Sequence, residues 1–187
     1  MRLLFFAGSA REGSHNKKLA RLGRHIAEAN GIEAVFADLA DYHMPIYHGD
    51  LENDEGVPER ARAFKALLEE YDGVMIVTPE YNAAVPPLLK NTLDWVSRVK
   101  DEPDVFTTRV FAISGASPGY YGTMRALLML RQILAVGLGA TVIPQQMALP
   151  RASQAFEADG SLKDESQQKM FAGVVEALAV AARKFSA

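Results

Sequence analysis

Short apolar runs alternate along this chain with segments of helical periodicity, and the alternation occurs five times. Strands that alternate with helices form a parallel sheet covered by helices on both faces, because each connection has to cross the sheet. We therefore predict a three-layer α/β fold with a five-stranded parallel sheet, and of the common orders of such sheets we adopt 2-1-3-4-5. The predicted strands cover 2–7, 32–37, 73–78, 109–114 and 140–143, and the predicted helices cover 14–30, 57–71, 86–98, 123–136 and 163–185.

The remaining segments are predicted to connect these elements within one domain. Residues 38–56 and 150–161 lack periodicity and are predicted to be loops, and Pro144 is expected to end the fifth strand. No shift in composition, repeat or low-complexity run marks a boundary. Residues 1–187 are therefore predicted to form a single domain.

Composition excludes several classes of protein. The formal net charge of −3 argues against nonspecific binding to nucleic acid or to an anionic membrane. The absence of cysteine excludes thiolate catalysis, disulfides and cysteine-based metal sites. The most apolar segment, 124–138, is interrupted by Arg125 and Arg131 and is not predicted to span a membrane. We expect a cytoplasmic protein. We also expect no metal site, because the four histidines lack metal-ligand spacing and are interpreted as structural or surface residues: His15, His25, His43 and His48.

Residues 8–16, which read Gly-Ser-Ala-Arg-Glu-Gly-Ser-His-Asn, follow the first predicted strand and open the first predicted helix. Such a junction points free backbone N–H groups and the positive end of a helix dipole at one place, which favours a bound phosphate. Ser9 and Ser14 can add hydroxyl donors, Arg11 a two-pronged donor and Asn16 an amide. The loop is therefore predicted to hold one phosphate monoester.

The first thirty residues are basic in an otherwise acidic chain, with a net charge of +4 against −7 for the remainder. This asymmetry fits local anion binding. A solvated helix face explains four of the basic residues equally well, and we favour that interpretation for Lys17, Lys18, Arg21 and Arg24.

Two further loops are predicted to meet the first. Ligands of such sheets bind at the carboxyl ends of the strands where the strand order reverses, here between strands 1 and 3. The loops at that place are 8–16, 78–86 and 114–122. The second contains Glu80 and Tyr81, and the third contains three glycines and two tyrosines, which can approach and wall a ligand. Each loop alone also has an ordinary structural interpretation, so the prediction depends on their coincidence at one edge.

At the residue level the chain resembles the NADPH-dependent FMN reductases of flavodoxin-like fold, a group that includes bacterial quinone, azo-dye and chromate reductases. Two motifs carry the resemblance, Gly-Ser-x-Arg-x-x-Ser-x-Asn from residue 8 and Pro-Glu-Tyr-Asn from residue 79. The second is followed by Leu-Lys-Asn-Thr-Leu-Asp-Trp over 89–95, and the resemblance covers about 1–145.

The resemblance implies FMN as cofactor and assigns roles to the three loops. Residues that would hold the FMN phosphate are Ser9, Arg11, Ser14 and Asn16, with His15 contributing its backbone N–H. Residues that would wrap the isoalloxazine edge, largely through backbone groups, are Pro79, Glu80, Tyr81 and Asn82. Those that would approach the ribityl chain or the ring from the other side are Ser114, Gly115 and Gly119.

The resemblance also implies the reaction. NADPH or NADH would deliver hydride to N5 of the flavin, which would pass it to a small-molecule acceptor such as a quinone, free flavin, an azo dye or chromate. Both substrates would stack in one slot whose predicted walls are Tyr81, Asn82, Tyr120 and Tyr121. No protein residue is predicted to be a catalytic acid or base. The alternative prediction is a flavodoxin-type electron carrier, although Arg11 and the modest net charge favour the enzyme.

A wide apolar arc on the predicted helix 123–136 suggests self-association. A helix buried more deeply than usual would explain the same pattern. We predict instead that part of the arc meets another subunit, which agrees with the dimers and tetramers that the resemblance implies.

Overall fold

The computed structural model describes residues 1–185, and within them five parallel strands form one sheet in the predicted order β2-β1-β3-β4-β5. The strands are β1 Arg2–Ala7, β2 Glu33–Ala37, β3 Gly73–Val77, β4 Val110–Ala116 and β5 Thr141–Leu149. The helices are α1 His15–Ala29, α2 Gly49–Glu55, α3 Glu59–Glu69, α4 Pro87–Val96, α5 Val105–Thr108, α6 Met124–Gln132 and α7 Glu165–Phe185.

Each face of the sheet carries its own apolar core. Leu3 and Phe5 of β1 are fully buried in the core that includes α1 and α7. Leu4 and Phe6 are buried in the core on the opposite face, which includes α3, α4 and α6. Because successive residues of a strand point to opposite faces, burial on both sides explains the unbroken apolar run of β1.

Residues 38–56 contain more structure than the loop predicted for them. A 3₁₀ turn covers Leu39–Tyr42, and α2 covers seven further residues. No residue of α2 is buried, so it lacks the apolar periodicity by which a helix is recognised. Polar contacts hold it instead, since Glu52 accepts a hydrogen bond from the Tyr47 hydroxyl at 3.0 Å and one from Arg98 Nε at 2.8 Å.

The prediction that β5 stops at Pro144 is wrong, because the strand continues to Leu149. Pairing with β4 shifts between Val142 and Gln146, so Pro144 lies in an irregular stretch where its missing N–H breaks no ladder bond. Arg131 of α6 secures this stretch by donating to the Ile143 carbonyl at 2.9 Å and to Gln146 Oε1 at 2.8 Å.

Two helical predictions also need correction. The helix predicted over 123–136 ends as an α-helix at Gln132 and continues as a π-helical turn over Ile133–Gly137. The short helix α5 was not predicted, and Asp104 begins it by accepting the Phe106 N–H at 3.0 Å. Among the described residues no helix is both long and apolar enough to cross a membrane.

Candidate functional site

The three predicted loops meet at the carboxyl edge of the sheet and are joined there by backbone hydrogen bonds. The N–H of Gly8, after β1, donates to Val77 of β3 at 2.9 Å. The N–H of Thr78 donates to Ser114 of β4 at 2.8 Å, and that of Ser117 donates to Leu149 of β5 at 3.1 Å. Each strand end therefore positions the next, so the loops form one rigid rim.

The first loop leaves donors open at the N-terminus of α1. Ser14 caps the helix, with its Oγ accepting the Lys17 N–H at 3.4 Å, and the first turn carries no acidic residue. In the part of the chain that the structure describes, the backbone N–H groups of Arg11, Glu12 and Gly13 make no hydrogen bond. The exposed Arg11 side chain has no ion-pair partner there either. Open N–H groups, a helix dipole and a free guanidinium suit a phosphate.

Lys17 does not belong to the solvated face that the sequence suggested. The residue is 3% exposed, and its Nζ lies 2.6 Å from Asp38 Oδ2 and 3.0 Å from the Ala10 carbonyl. One buried ammonium group therefore ties the first loop to the chain after β2. Because a buried charge needs a partner, loss of either side chain would leave the other uncompensated.

Asn16, for which a phosphate contact is predicted, makes a contact within the protein. Its Nδ2 donates to the Ala116 carbonyl at 2.9 Å, and the Ala116 N–H donates to its Oδ1 at 2.8 Å. This reciprocal pair joins the start of α1 to the end of β4, and the buried carboxamide thereby positions the first loop. Ser9 is also nearly buried, at 6% exposure.

His15 packs against a segment that carried no recognisable motif. Its ring lies parallel to that of Phe156, with 6.4 Å between centroids. Partial burial, followed by the charges of Arg11 and Lys18, lowers the pKa of His15 below its usual value. Among the described residues, the buried Nδ1 of its imidazole has no hydrogen-bond partner.

The second loop contains a strained two-residue turn. Tyr81 and Ala84 exchange two backbone hydrogen bonds of 3.0 Å, with Asn82 and Ala83 between them. Both central residues have positive φ, 51° for Asn82 and 67° for Ala83, which is the pattern of a type I′ turn. Asparagine tolerates this conformation, whereas alanine is strained in it. The turn presents the exposed side chains of Tyr81 and Asn82 at the rim.

Glu80 links the second loop to α6. Its carboxylate accepts the backbone N–H groups of Arg125 at 3.0 Å and of Ala126 at 3.1 Å, and it also pairs with the Arg125 guanidinium. The side chain is only 5% exposed. Glu80 therefore caps α6 and fixes the distance between the two loops, while its backbone remains at the rim beside Pro79.

The third loop separates into a buried and an exposed part. Ser114 and Gly115 are buried within β4, and the contact with the ribityl chain or the ring that is expected of them stays a prediction. A Cβ on Gly115 would lie 2.1 Å from Thr123 Oγ1 and 2.3 Å from the Thr78 carbonyl, which explains the glycine by close packing. Gly119 is exposed and lies at the rim.

The exposed parts of the second and third loops enclose a cleft of about 330 Å³. The Tyr120 and Tyr121 rings stand over it edge to face, with 5.3 Å between centroids, and are 73% and 67% exposed. Such exposure of paired aromatic rings leaves flat apolar surface available to a planar ligand. The walls are Glu80, Asn82, Ala83, Ser117, Gly119, Tyr120, Tyr121, Gly122 and Arg125.

The model of the NADPH-dependent FMN reductase family matches residues 1–154. The chain belongs to this family. A quinone reductase of Escherichia coli K12 is 38% identical to this chain over 134 residues, which cover 72% of this chain and 69% of the relative. An NAD(P)H-dependent FMN reductase of Pseudomonas aeruginosa is 31% identical over 187 residues, covering 98% and 96%. The flavoenzyme NAD(P)H:(acceptor) oxidoreductase FerB of Paracoccus denitrificans superposes with a TM-score of 0.83 at 30% identity over 98% of each chain.

Family membership confirms the predicted enzyme class. The protein is an FMN-dependent NAD(P)H oxidoreductase of flavodoxin-like fold, and the alternative of a pure electron carrier is set aside. The residues present fit the cofactor, because the open N–H groups and Arg11 suit a phosphate and the tyrosine cleft suits a planar ring. Asn16, Lys17 and Glu80 position these groups through contacts between distant parts of the chain.

Proposed function

We propose that the reductase transfers two electrons from NAD(P)H to quinones. The observation that carries this proposal is the placing of a phosphate-binding loop and an open tyrosine cleft on one rim of the sheet. The quinone reductase of E. coli at 38% identity supports quinones as the acceptor class. Free flavin, azo dyes and chromate are further candidates for the same open cleft.

In this proposal each loop has a separate task toward FMN. Ser14, the backbone N–H groups of the first loop and Arg11 hold the phosphate, with Ser9 beside them. The backbone of 79–82 binds the edge of the ring system. Gly119 lets the third loop approach the ring from the other side. When bound, FMN supplies the hydride chemistry that no side chain of the protein offers.

The cleft residues decide how the substrates meet the cofactor. Tyr120 and Tyr121 wall the slot, and Asn82 offers a polar contact beside them. Tyr81 is exposed at the rim but does not line this cleft, so its place as a further wall stays a proposal. A nicotinamide and a quinone are both planar and would need the same aromatic walls. Reactive atoms have to approach to roughly 3–3.5 Å, so the two substrates cannot occupy the slot together. The mechanism is therefore ping-pong, with the nicotinamide leaving before the acceptor enters.

Initial-rate kinetics of the FMN-loaded protein test this proposal. With NADPH or NADH and a benzoquinone, we expect parallel lines in double-reciprocal plots, and the apoprotein serves as the inactive control. A panel of quinone, free flavin, azo dye and chromate compared by kcat/KM then ranks the acceptors. Intersecting lines, or a negligible rate with every quinone, would contradict the proposal.

We also propose that the reductase is a cytoplasmic homodimer or homotetramer. The support for self-association is the exposed apolar surface of α6 and the turn after it, where Leu128 is 61% and Val136 is 79% exposed. A cytoplasmic location is supported by the need for a pool of reduced nicotinamide. Fractionation of the native cells with detection of the protein tests that location.

A further inference from the structure

A second cleft, of about 570 Å³, adjoins the tyrosine cleft. The two share Tyr120 as a wall. The second cleft lies between the chain after β5 and the start of α7. Its polar lining consists of Tyr120, Arg151, Gln154, Lys163, Asp164 and Gln167.

Two of the residues that line this cleft are cations whose side chains have no ion-pair or hydrogen-bond partner among the described residues. In the described chain neither the Arg151 nor the Lys163 side chain makes an ion pair or a hydrogen bond, and the Arg151 guanidinium lies 6.0 Å from the centre of the Tyr120 ring. Asp164 is the acidic residue of the lining. Its Oδ1 is occupied by the N–H groups of Ser166 at 2.8 Å and Gln167 at 3.0 Å, which it caps at the start of α7. The lining is therefore positive in a chain of net charge −3.

The backbone at Arg151 is held in a conformation that costs energy. Its φ of 50° and ψ of 37° are left-handed, which costs a non-glycine residue about 1–3 kcal/mol and is concentrated at ligand clamps. Two hydrogen bonds to the third loop impose it, from Arg151 N–H to the Gly119 carbonyl at 3.2 Å and from Ala152 N–H to the Ser117 carbonyl at 3.0 Å. The backbone of Arg151 is thereby attached to the loop that carries Tyr120.

We infer that this second cleft binds the 2′-phosphate of NADPH through Arg151 and Lys163, and so makes the reductase prefer NADPH to NADH. The inference rests on the proposed function, in which the nicotinamide lies in the tyrosine cleft beside Tyr120. The other end of the dinucleotide then extends past the shared wall. A guanidinium binds phosphate oxygens in pairs, and an arginine is a usual partner of the 2′-phosphate.

Four variants test the inference, and they distinguish the loss of a side-chain charge from a change in backbone conformation. Arg151→Asn removes the charge while keeping a residue that tolerates positive φ, and Arg151→Lys keeps the charge. Lys163→Gln removes the second cation. Lys169→Gln is the matched control, because Lys169 is an exposed cation of α7 that does not line the cleft. FMN absorbance and NADH-dependent activity report whether each variant is folded.

Steady-state kinetics use a neutral naphthoquinone as acceptor. For Arg151→Asn we expect kcat/KM with NADPH to fall about 10- to 100-fold through KM, the range for losing a charge-assisted hydrogen bond. NADH should change less than twofold, Arg151→Lys should retain most NADPH activity, and Lys169→Gln should match the wild type. An equal loss for both nicotinamides would assign Arg151 to the shared pyrophosphate and overturn the inference. If Arg151→Asn lowered kcat/KM only when a sulfonated quinone replaced the neutral one, the cleft would be assigned to the acceptor and the inference would be overturned.

Calorimetry gives a readout that is independent of turnover. The FMN-loaded wild type should bind 2′,5′-ADP more tightly than 5′-AMP, and Arg151→Asn should lose the difference. Equal binding of the two nucleotides to the wild type would overturn the inference even with reductase activity intact. Absence of all nicotinamide oxidation would instead refute the proposed function, while the nucleotide titration would still decide what the cleft binds.

Discussion

Ala83 occupies the second central position of the turn after β3, with φ at 67°. Glycine adopts this conformation without strain, whereas an alanine pays about 1–2 kcal/mol. Replacing Ala83 by glycine removes this strain, but it also increases the conformational entropy of the unfolded chain, which lowers stability by about 0.4–1 kcal/mol. We expect Ala83→Gly to raise the free energy of unfolding by about 0.5–1 kcal/mol, measured by urea denaturation of the apoprotein. Ala84→Gly, at ordinary φ, should lower it, and a lowered value for Ala83→Gly would contradict the strain.

Arg11 of the first loop is exposed, and its side chain has no ion-pair or hydrogen-bond partner in the described protein. Arg11→Ala should weaken FMN binding by about 1.5–3 kcal/mol, the range for a hydrogen bond to a charged group. Riboflavin lacks the phosphate and should bind poorly to both proteins. Fluorescence titration with the two flavins measures the difference, and Arg24→Ala, on α1 after that loop, is the control. Equal losses for both flavins would show that Arg11 does not contact the phosphate.

The features that could be predicted from the sequence are those of a contiguous motif, such as the start of a helix at Ser14 in the loop that carries Arg11. The phosphate contact expected of both residues stays a prediction. The roles of Asn16, Lys17 and Glu80 could not be predicted. Their partners are 100, 21 and 45 residues away along the chain, and side-chain pairing over such separations leaves no local pattern. Close packing at Gly115 has the same origin, since Thr78 and Thr123 arrive beside β4 only in the folded sheet.

Among the elements, those with apolar periodicity were predicted and those held by polar contacts were not. α2 buries no residue and depends on Glu52, so no periodic signal marks it. The run through Pro144 was misjudged because an edge strand can pass a proline where its pairing shifts. In both cases the segment is held by a side chain from elsewhere in the chain, Arg98 for α2 and Arg131 for β5. The sequence of the segment itself therefore does not indicate its secondary structure.

The exposed face of α6 makes a prediction about assembly. Leu128 stands 61% exposed there, beside Met124 and Met129. If this face meets a second subunit, Leu128→Glu should raise the dissociation constant of the oligomer by at least about tenfold, because a buried unpaired carboxylate is costly. Analytical ultracentrifugation at micromolar concentration measures it. Met170→Glu, on an exposed apolar residue of α7, is the matched control. A monomeric wild type would contradict the prediction.

At the scale of the whole molecule, a parallel sheet was predictable because strands and helices alternate along the chain. Alternation alone does not fix the strand order, and 2-1-3-4-5 was predictable as a common order of such sheets that agrees with the flavodoxin-like fold that the resemblance implies. The same order brings the three loops to one edge, so the location of the site followed from topology. What topology did not predict is how tightly the loops are joined. The rim hydrogen bonds connect β1 to β3, β3 to β4 and β4 to β5 in series.

Cofactor binding should therefore stabilise the molecule as a unit. At a free FMN concentration of 100 times Kd, we expect about 2.7 kcal/mol of added stability. For a chain of 187 residues that is a rise in Tm of about 5–11 °C, to be measured by differential scanning calorimetry. Riboflavin at the same concentration serves as the control and should raise Tm much less. No shift with FMN would contradict a site formed by the native rim.

The reciprocal pair between Asn16 and Ala116 has a consequence for how the protein is made. The ribosome delivers Asn16 early, but its partner follows only 100 residues later. A nascent chain that ends before Ala116 can contain the entire first motif, but it lacks the two hydrogen bonds that position this motif. Loading with flavin thus belongs to the period after most of the chain has been synthesised, and truncated translation products remain colourless.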